Sequence, residues 1–311
     1  MPLASPSAAP VSGMPHAPAT DWRDYLALMK PRVMSLAVFT SLVGLVLAPG
    51  ALHPVLALAA LLLIAAGAGA AGALNMWYEA DLDAKMARTA TRPVAAGRMT
   101  PAAALEFGAV VACASVYCLG VMISWAAAAW LAFTIFFYAV VYTMWLKPRT
   151  VHNIALGGLA GALPPVIGWA AGGGGWDWLP ALLCLHIALW TPPHFWALAL
   201  LCRDEYAAAD VPMLPVARGT AVTQRQILLY TVATVGIGCL PFALGMVGVL
   251  GGAAAALGGA ALLVLGWQLW RSGEAFERAA RRMFFGSIYY LFALYAAWLA
   301  DALLFASGGG A

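Results

Sequence analysis

Apolar runs of about 20 residues follow one another along almost the whole chain, and an uncharged run of that length is what crosses a hydrocarbon core as a helix. Reading them in order gives nine spans, at 26–48, 55–77, 101–123, 125–145, 151–172, 178–201, 226–248, 250–270 and 284–306. Lipid offers no partner to a bare backbone group, so such runs must close their own hydrogen bonds as helices. The expected fold class is all-α: a polytopic membrane protein with nine transmembrane helices around a central cavity. Residues 25–306 form its single transmembrane domain, 1–24 a disordered cytoplasmic tail and 307–311 a short external tail. The balance of residues agrees. Hydrophobic residues make up 64% of the 311 and charged residues 9%, against about half and about a quarter in soluble domains, so there is too little charge to cover a surface facing water.

Charge is also distributed to one side. All 16 Lys and Arg fall before or at the start of the first span, or in the loops after spans two, four, six and eight. The alternate loops carry His53 and Asp177 and no Lys or Arg. The positive-inside rule places the N-terminus and the basic loops in the cytoplasm and, with nine spans, the C-terminus outside. The first 20 residues, rich in Ala, Pro and Ser without Lys or Arg, resemble neither a transit nor a signal peptide, which points to a bacterial inner membrane. The five cysteines lie in or beside apolar runs with no CxxC spacing, and are expected to be buried small hydrophobes. Nucleic acid is not among the expected partners; the lipid bilayer is.

Polar chemistry gathers in the basic loops. The end of span two reads NMWYEADLDAKMARTATRP from residue 75. On a helix Asn75, Glu79 and Asp83 fall at i, i+4 and i+8, along one face about 12 Å long. Carboxylates four residues apart repel one another, and a hard cation relieves that. Mg²⁺ takes oxygen ligands from one or two carboxylates, waters and substrate phosphates. Asp81 and, further along, Asp204 are additional candidate metal ligands. Arg88 and Arg92 follow at another i, i+4 interval, and the guanidinium fork suits phosphate oxygens. Lys147 and Arg149, in the basic and aromatic loop after span four, and Arg203, after span six, complete the candidate diphosphate set. A solvated helix end and an interfacial anchor are the plain alternatives for these two loops taken singly. The loop after span eight, with Arg271, Arg278, Arg281 and Arg282, reads as an amphipathic surface helix over anionic lipid.

Prolines 31, 164, 165, 192 and 193 interrupt spans one, five and six, and broken spans are tolerated where they line a cavity. Within span six, WTPPHFW over 190–196 places His194 after a Pro pair. Polar groups inside a span are expensive and usually functional, although a lone buried histidine is also often a hydrogen-bonded core residue. Magnesium, basic side chains and apolar walls together suit the departure of a diphosphate from a prenyl carbon. Aromatic faces at Trp77, Tyr78, Tyr142 and Trp145 would stabilise an allylic cation.

Four stretches carry a resemblance to the intramembrane UbiA-type aromatic prenyltransferases: KPRVMS at 30–35, the segment from Asn75 to Arg98, the segment from Tyr142 through Asn153 to Gly158, and WTPPHFW through VPMLP at 211–215. The resemblance spans about residues 25–300 and is closest to the haem-using branch. It implies farnesyl diphosphate and haem b as substrates, haem b being a substrate and not a cofactor, Mg²⁺ as cofactor, haem O as product and a haem A synthase as a downstream partner. It places Asn75 and Asp83 on metal–diphosphate positions, Arg88, Arg92, Lys147 and Arg149 on basic positions, and Trp190, His194 and Trp196 in a haem-contacting segment. Glu79 stands where the family pattern has Asp. A related enzyme with a hydroxybenzoate or chlorophyllide acceptor, and a transporter, are the alternatives.

Overall fold

The computed structural model describes residues 20–305, and every regular element among them is helical. Most of the tail expected over 1–24, and the tail expected over 307–311, lie outside the described residues. The chain is already helical at Trp22, inside the expected tail. Asp21 caps α1 (Trp22–Leu28) through the Arg23 amide, and Asp24 binds Arg98 at 2.9 Å. Lys30 takes a left-handed conformation, φ 51° and ψ 58°, between α1 and α2 (Pro31–Leu47), which meet at 53°. A non-glycine residue in that region marks a corner held by its surroundings.

The spans that follow are α3 (Pro54–Tyr78), with the short α4 (Ala80–Ala84) at its end, α5 (Pro101–Met122), and α6 (Trp125–Phe136). α6 runs on as a π-helix over Phe137–Leu146 and ends in α7 (Lys147–Arg149). The fifth span is divided, as its prolines predict, into α8 (Asn153–Ala162) and α9 (Pro164–Ala171). The sixth, α10 (Trp178–Leu201), is not interrupted. It passes through Pro192 and Pro193 without a break, and the Thr191 hydroxyl donates to the Ile187 carbonyl at 2.8 Å in the turn beneath them. Short helices α11 (Arg203–Ala208) and α12 (Leu214–Ala217) lead to α13 (Thr220–Ala243), α14 (Val249–Arg271) and α15 (Glu277–Phe305). Among the described residues eight helical spans are long and apolar enough to cross a membrane, and counting the bent pair α1–α2 as one span makes nine. The last begins at Glu277, seven residues ahead of the expected 284, so Arg278, Arg281 and Arg282 belong to its first turns.

Among the described residues two large apolar cores hold the bundle, with a smaller one around Leu28, Met76 and Ala104. One gathers α10, α13, α14 and α15 around Leu183, Ile227, Leu262, Leu294 and Trp298. The other joins α3, α5, α6 and α9 around Ile64, Leu119, Leu131 and Ile167. Backbones touch where α2 crosses α9: a Cβ on Gly44 would lie 2.0 Å from the Pro165 carbonyl oxygen, and one on Gly168 1.9 Å from that of Ser41. Small residues at such crossings let helices approach in the absence of a hydrophobic drive between them. The cysteines are not buried as expected: Cys113 is exposed and the other four are half-buried. An apolar side chain on the outer face of a lipid-embedded helix needs no protein cover, so burial does not follow from hydrophobicity here.

Candidate functional site

The backbone keeps the register the spacing predicts. The Glu79 amide donates to the Asn75 carbonyl at 2.9 Å and the Asp83 amide to that of Glu79 at 2.7 Å. Asn75, Glu79 and Asp83 therefore line one side of the α3–α4 end, exposed by only 3%, 5% and 1%. Each is met by a basic side chain from a different part of the chain. Lys30 Nζ donates to Asn75 Oδ1 at 2.6 Å, Lys147 Nζ to Glu79 Oε1 at 2.5 Å, and Arg92 Nη1 to both oxygens of Asp83 at 2.7 Å. Burying a carboxylate is costly unless it is paired and hydrogen-bonded, and here both acids are.

Two irregular segments make this possible. After Ala84 the helix stops, so Arg88 and Arg92 do not share a helical face as their spacing suggests. The Thr89 hydroxyl donates to the Asp83 carbonyl at 2.9 Å, and a run of turns carries Arg92 back over the carboxylate. On the facing wall, the π-helix widens the α6 spiral. Its Thr143 hydroxyl donates to the Tyr138 carbonyl at 2.7 Å and accepts from Asn75 Nδ2 at 3.0 Å. Thr143 and Lys147, four residues apart, thus face Asn75 and Glu79, also four apart. Isolated π-segments are frequent at functional sites because they turn a few side chains out of helical register. Tyr142, stacked on Tyr138 at 5.6 Å, lies over Gly157, where a Cβ would come within 2.1 Å of its ring. The other proposed aromatic faces differ: Trp77 is half-buried, while Tyr78 and Trp145 are exposed.

The remaining expected residues stand further out. Arg88 reaches the Tyr206 hydroxyl at 3.5 Å. Burial raises the Tyr206 phenol above its ordinary pKa, with Arg88 opposing, so it stays protonated and able to donate. Arg149 is exposed. Arg203 turns to Asp204 and to Thr220, each at 3.4 Å. Asp81 is exposed and the Asp204 side chain 94% exposed. Among the described residues no three His, Cys, Asp or Glu gather where they could hold a metal, so the expected five-residue metal set is not brought together. Glu205, which forms an acidic pair with Asp204 in the sequence but is not in the expected metal set, has its Oε2 enclosed and unpartnered. Lys30, Thr143 and Asn153 were also not singled out as site residues. Asn153 is fully buried, with Nδ2 on the Thr150 carbonyl at 2.8 Å and Oδ1 without a partner. Polar residues within or abutting apolar runs were the available signal.

The haem-contact candidates lie elsewhere, on α10, with Trp190 and His194 facing α15 and Trp196 facing α13. Trp190 and Trp196 are buried and His194 is 7% exposed. The His194 ring is sandwiched between Trp190, at 4.5 Å and 14°, and Phe284, at 4.6 Å and 21°. Trp196 packs edge-on against Tyr230 at 5.2 Å.

A buried amide-and-carboxylate face ringed by basic groups, at one end of an all-α membrane bundle, has the chemistry to hold a cation and an anionic group together. Residues 37–307 match the model of the UbiA prenyltransferase family, and the chain belongs to that family. It is 57% identical over 282 residues to the protoheme IX farnesyltransferase of Rhodopseudomonas palustris, covering 90% of each chain. It is 54% identical to the protein of that name from Parvibaculum lavamentivorans, covering 91% of this chain and 89% of the relative, and 52% identical to that from Brucella anthropi, covering 91% of each. Among solved structures, a digeranylgeranylglyceryl phosphate synthase superposes with a TM-score of 0.75 at 15% identity, over 91% of this chain and 98% of that one. A UbiA homolog from Archaeoglobus fulgidus bound to DMAPP and Mg²⁺ superposes at 0.65 and 16% identity, over 88% and 98%. These last two likenesses concern the fold.

Proposed function

We propose that the chain transfers the farnesyl group of farnesyl diphosphate to the 2-vinyl group of haem b, with addition of water, giving haem O. The observation that carries this reading is the buried Asn75–Glu79–Asp83 face with a basic side chain on each member, in a chain whose relatives bear a farnesyltransferase name. That donor set fits Mg²⁺, a hard cation that accepts carboxylate and amide oxygens together with substrate phosphates. Bound there, Mg²⁺ supplies charge neutralisation of the leaving diphosphate.

The chain's own residues do the rest. Arg92 and Lys147 hold the two acids and Lys30 the Asn75 amide; were a metal to take those oxygens, the three basic groups would be free to donate to phosphate oxygens. Arg88, with Tyr206, adds a further donor pair at the rim, and Arg149 and Arg203 lie beyond it. The bond between the farnesyl C1 and the bridging oxygen breaks, and its electron pair leaves with the diphosphate. The terminal vinyl carbon of haem bonds to C1. The cation left on the inner vinyl carbon takes water, which loses a proton to the diphosphate or the solvent. Basic groups that hold the diphosphate thereby also hold the base that accepts the proton. Apolar walls keep water from the allylic cation until the new carbon–carbon bond has formed.

Haem is held through His194, with Trp190 and Trp196 as part of its wall. The protein lies in a bacterial inner membrane with the diphosphate site at the cytoplasmic end. All 16 Lys and Arg fall at that end by the positive-inside pattern, and a haem A synthase would draw on the product. Pigment extraction from membranes with and without the protein tests the reaction: a farnesylated haem of haem O mass is expected only with it. A prenylated hydroxybenzoate or chlorophyllide in its place would overturn the choice of acceptor.

A further inference from the structure

We propose that Ser287 is a positioning residue that fixes the tautomer of His194, so that the imidazole offers an unprotonated Nε2 to the iron of haem. The inference rests on the reading of His194 as the haem contact and adds a residue on another helix that determines how that contact is made.

The argument is a count of protons. His194 Nδ1 lies 2.9 Å from Ser287 Oγ, and Ser287 Oγ donates to the Phe284 carbonyl at 2.8 Å. A hydroxyl has one proton. Given to the carbonyl, it leaves the oxygen able only to accept, so the proton between the two side chains belongs to His194 Nδ1. A neutral imidazole protonated at Nδ1 carries its lone pair at Nε2. Ser287 is fully buried, so bulk water does not compete for either atom.

Ser287 also holds the ring's cover. Its backbone carbonyl accepts from Trp190 Nε1 at 2.8 Å, and Trp190 stacks on one face of His194 while Phe284 stacks on the other. The imidazole is thus fixed at one nitrogen and closed on both faces. Phe195 meets the ring edge-on at 5.0 Å and 85°. Nε2 is not among the buried polar atoms left without a partner, and with Nδ1 taken by Ser287 it is the nitrogen left for a ligand. His186, two turns earlier on α10, is the internal contrast. Its Nε2 meets the Tyr290 hydroxyl at 3.1 Å and its Nδ1 is enclosed without a partner, so it has no edge to offer. A histidine that binds a metal typically gives its other N–H to a fixed acceptor, and loss of that acceptor costs about 10–100-fold in affinity.

The test is titration of haem b into the purified full-length protein in detergent without farnesyl diphosphate, followed by absorbance and by the iron–histidine band in resonance Raman spectra. Ser287→Ala is expected to weaken haem binding about tenfold or more and to lower the iron–histidine frequency. Ser287→Thr, which keeps the hydroxyl, should restore both, and His186→Gln should leave the band in place. If His194→Ala removes the band while Ser287→Ala keeps wild-type affinity and frequency, the role of Ser287 is overturned and the haem contact stands. If His194→Ala keeps the wild-type spectrum, the haem contact itself fails. Nitrogen NMR shifts of the histidine rings in the haem-free wild type decide the tautomer without any variant. An Nε2–H form of His194 overturns the proposal.

Discussion

The polar end of α3 and the aromatic seam between α10 and α15 solve the same problem, polar side chains buried in a membrane protein, in opposite ways. At the first, charge is matched by charge: Asp83 with Arg92 and Glu79 with Lys147, while Lys30 caps the amide of Asn75. At the second, neutral side chains are closed in by rings, with Trp190 and His194 hydrogen-bonded to Ser287 and Tyr295 to the Leu183 carbonyl at 2.9 Å, while His186 Nδ1 and Trp298 Nε1 stay buried without a partner. Ion pairs at an interface can change partners when a charged ligand and a metal arrive. A stacked, hydrogen-bonded ring has one arrangement and keeps it. The first region is suited to exchanging contacts and the second to holding a geometry, in keeping with the roles proposed for them, one toward a diphosphate that leaves and the other toward a porphyrin that must be oriented.

That contrast can be broken by experiment. Exhaustive chelation of the purified enzyme should abolish turnover and added Mg²⁺ should restore it; turnover that survives chelation would remove the metal from the first region. Asp83→Ala should lower the rate by about 10³-fold, the upper range for loss of one transition-state charge contact, and haem extracted from membranes measures it. Haem binding, read by absorbance, should persist in that variant. His194→Ala should do the reverse, weakening haem affinity by about 10–100-fold while leaving binding of a non-reactive farnesyl diphosphate analogue in place. Equal loss of both ligands in both variants would mean that the two regions are one. Gly157→Ala, which drives a Cβ into Tyr142, should destabilise the protein by about 1–3 kcal/mol, visible as a lower melting temperature, and slow turnover by displacing Lys147. Asp81→Asn and Asp204→Asn, both on exposed side chains, should change the rate by less than about threefold, in keeping with the roughly 0.5 kcal/mol typical of surface positions. A larger loss would bring the residue concerned into the metal site.

The sequence and the structure agree best where a local rule suffices. The i, i+4, i+8 spacing placed Asn75, Glu79 and Asp83 on one side because helical geometry is set by neighbours four residues away. The same rule misled at Arg88 and Arg92, since the helix ends at Ala84 and Thr89 folds the chain back on Asp83. Prolines 164 and 165 divide the fifth span as expected. Prolines 192 and 193 do not divide the sixth, α10, which runs on through them packed against α13 and α15. Lys30 was visible only as part of a short motif. Its contact with Asn75 spans 45 positions, and no pattern within one segment reports it.

Read alone, the amino-acid order determined that this chain lives in lipid, that its regular structure is helical, which end of the bundle collects the charge and which acids share a face. These follow from hydrophobic length, backbone hydrogen bonding and helical period, all of them local. Only the tertiary structure decided which basic side chain meets which acid, that a π-helix turns Thr143 and Lys147 toward α3, and that Ser287 stands behind His194. Those are contacts between segments far apart in sequence, set by how whole helices pack, and packing is a property of the assembled bundle and not of any one of its strips.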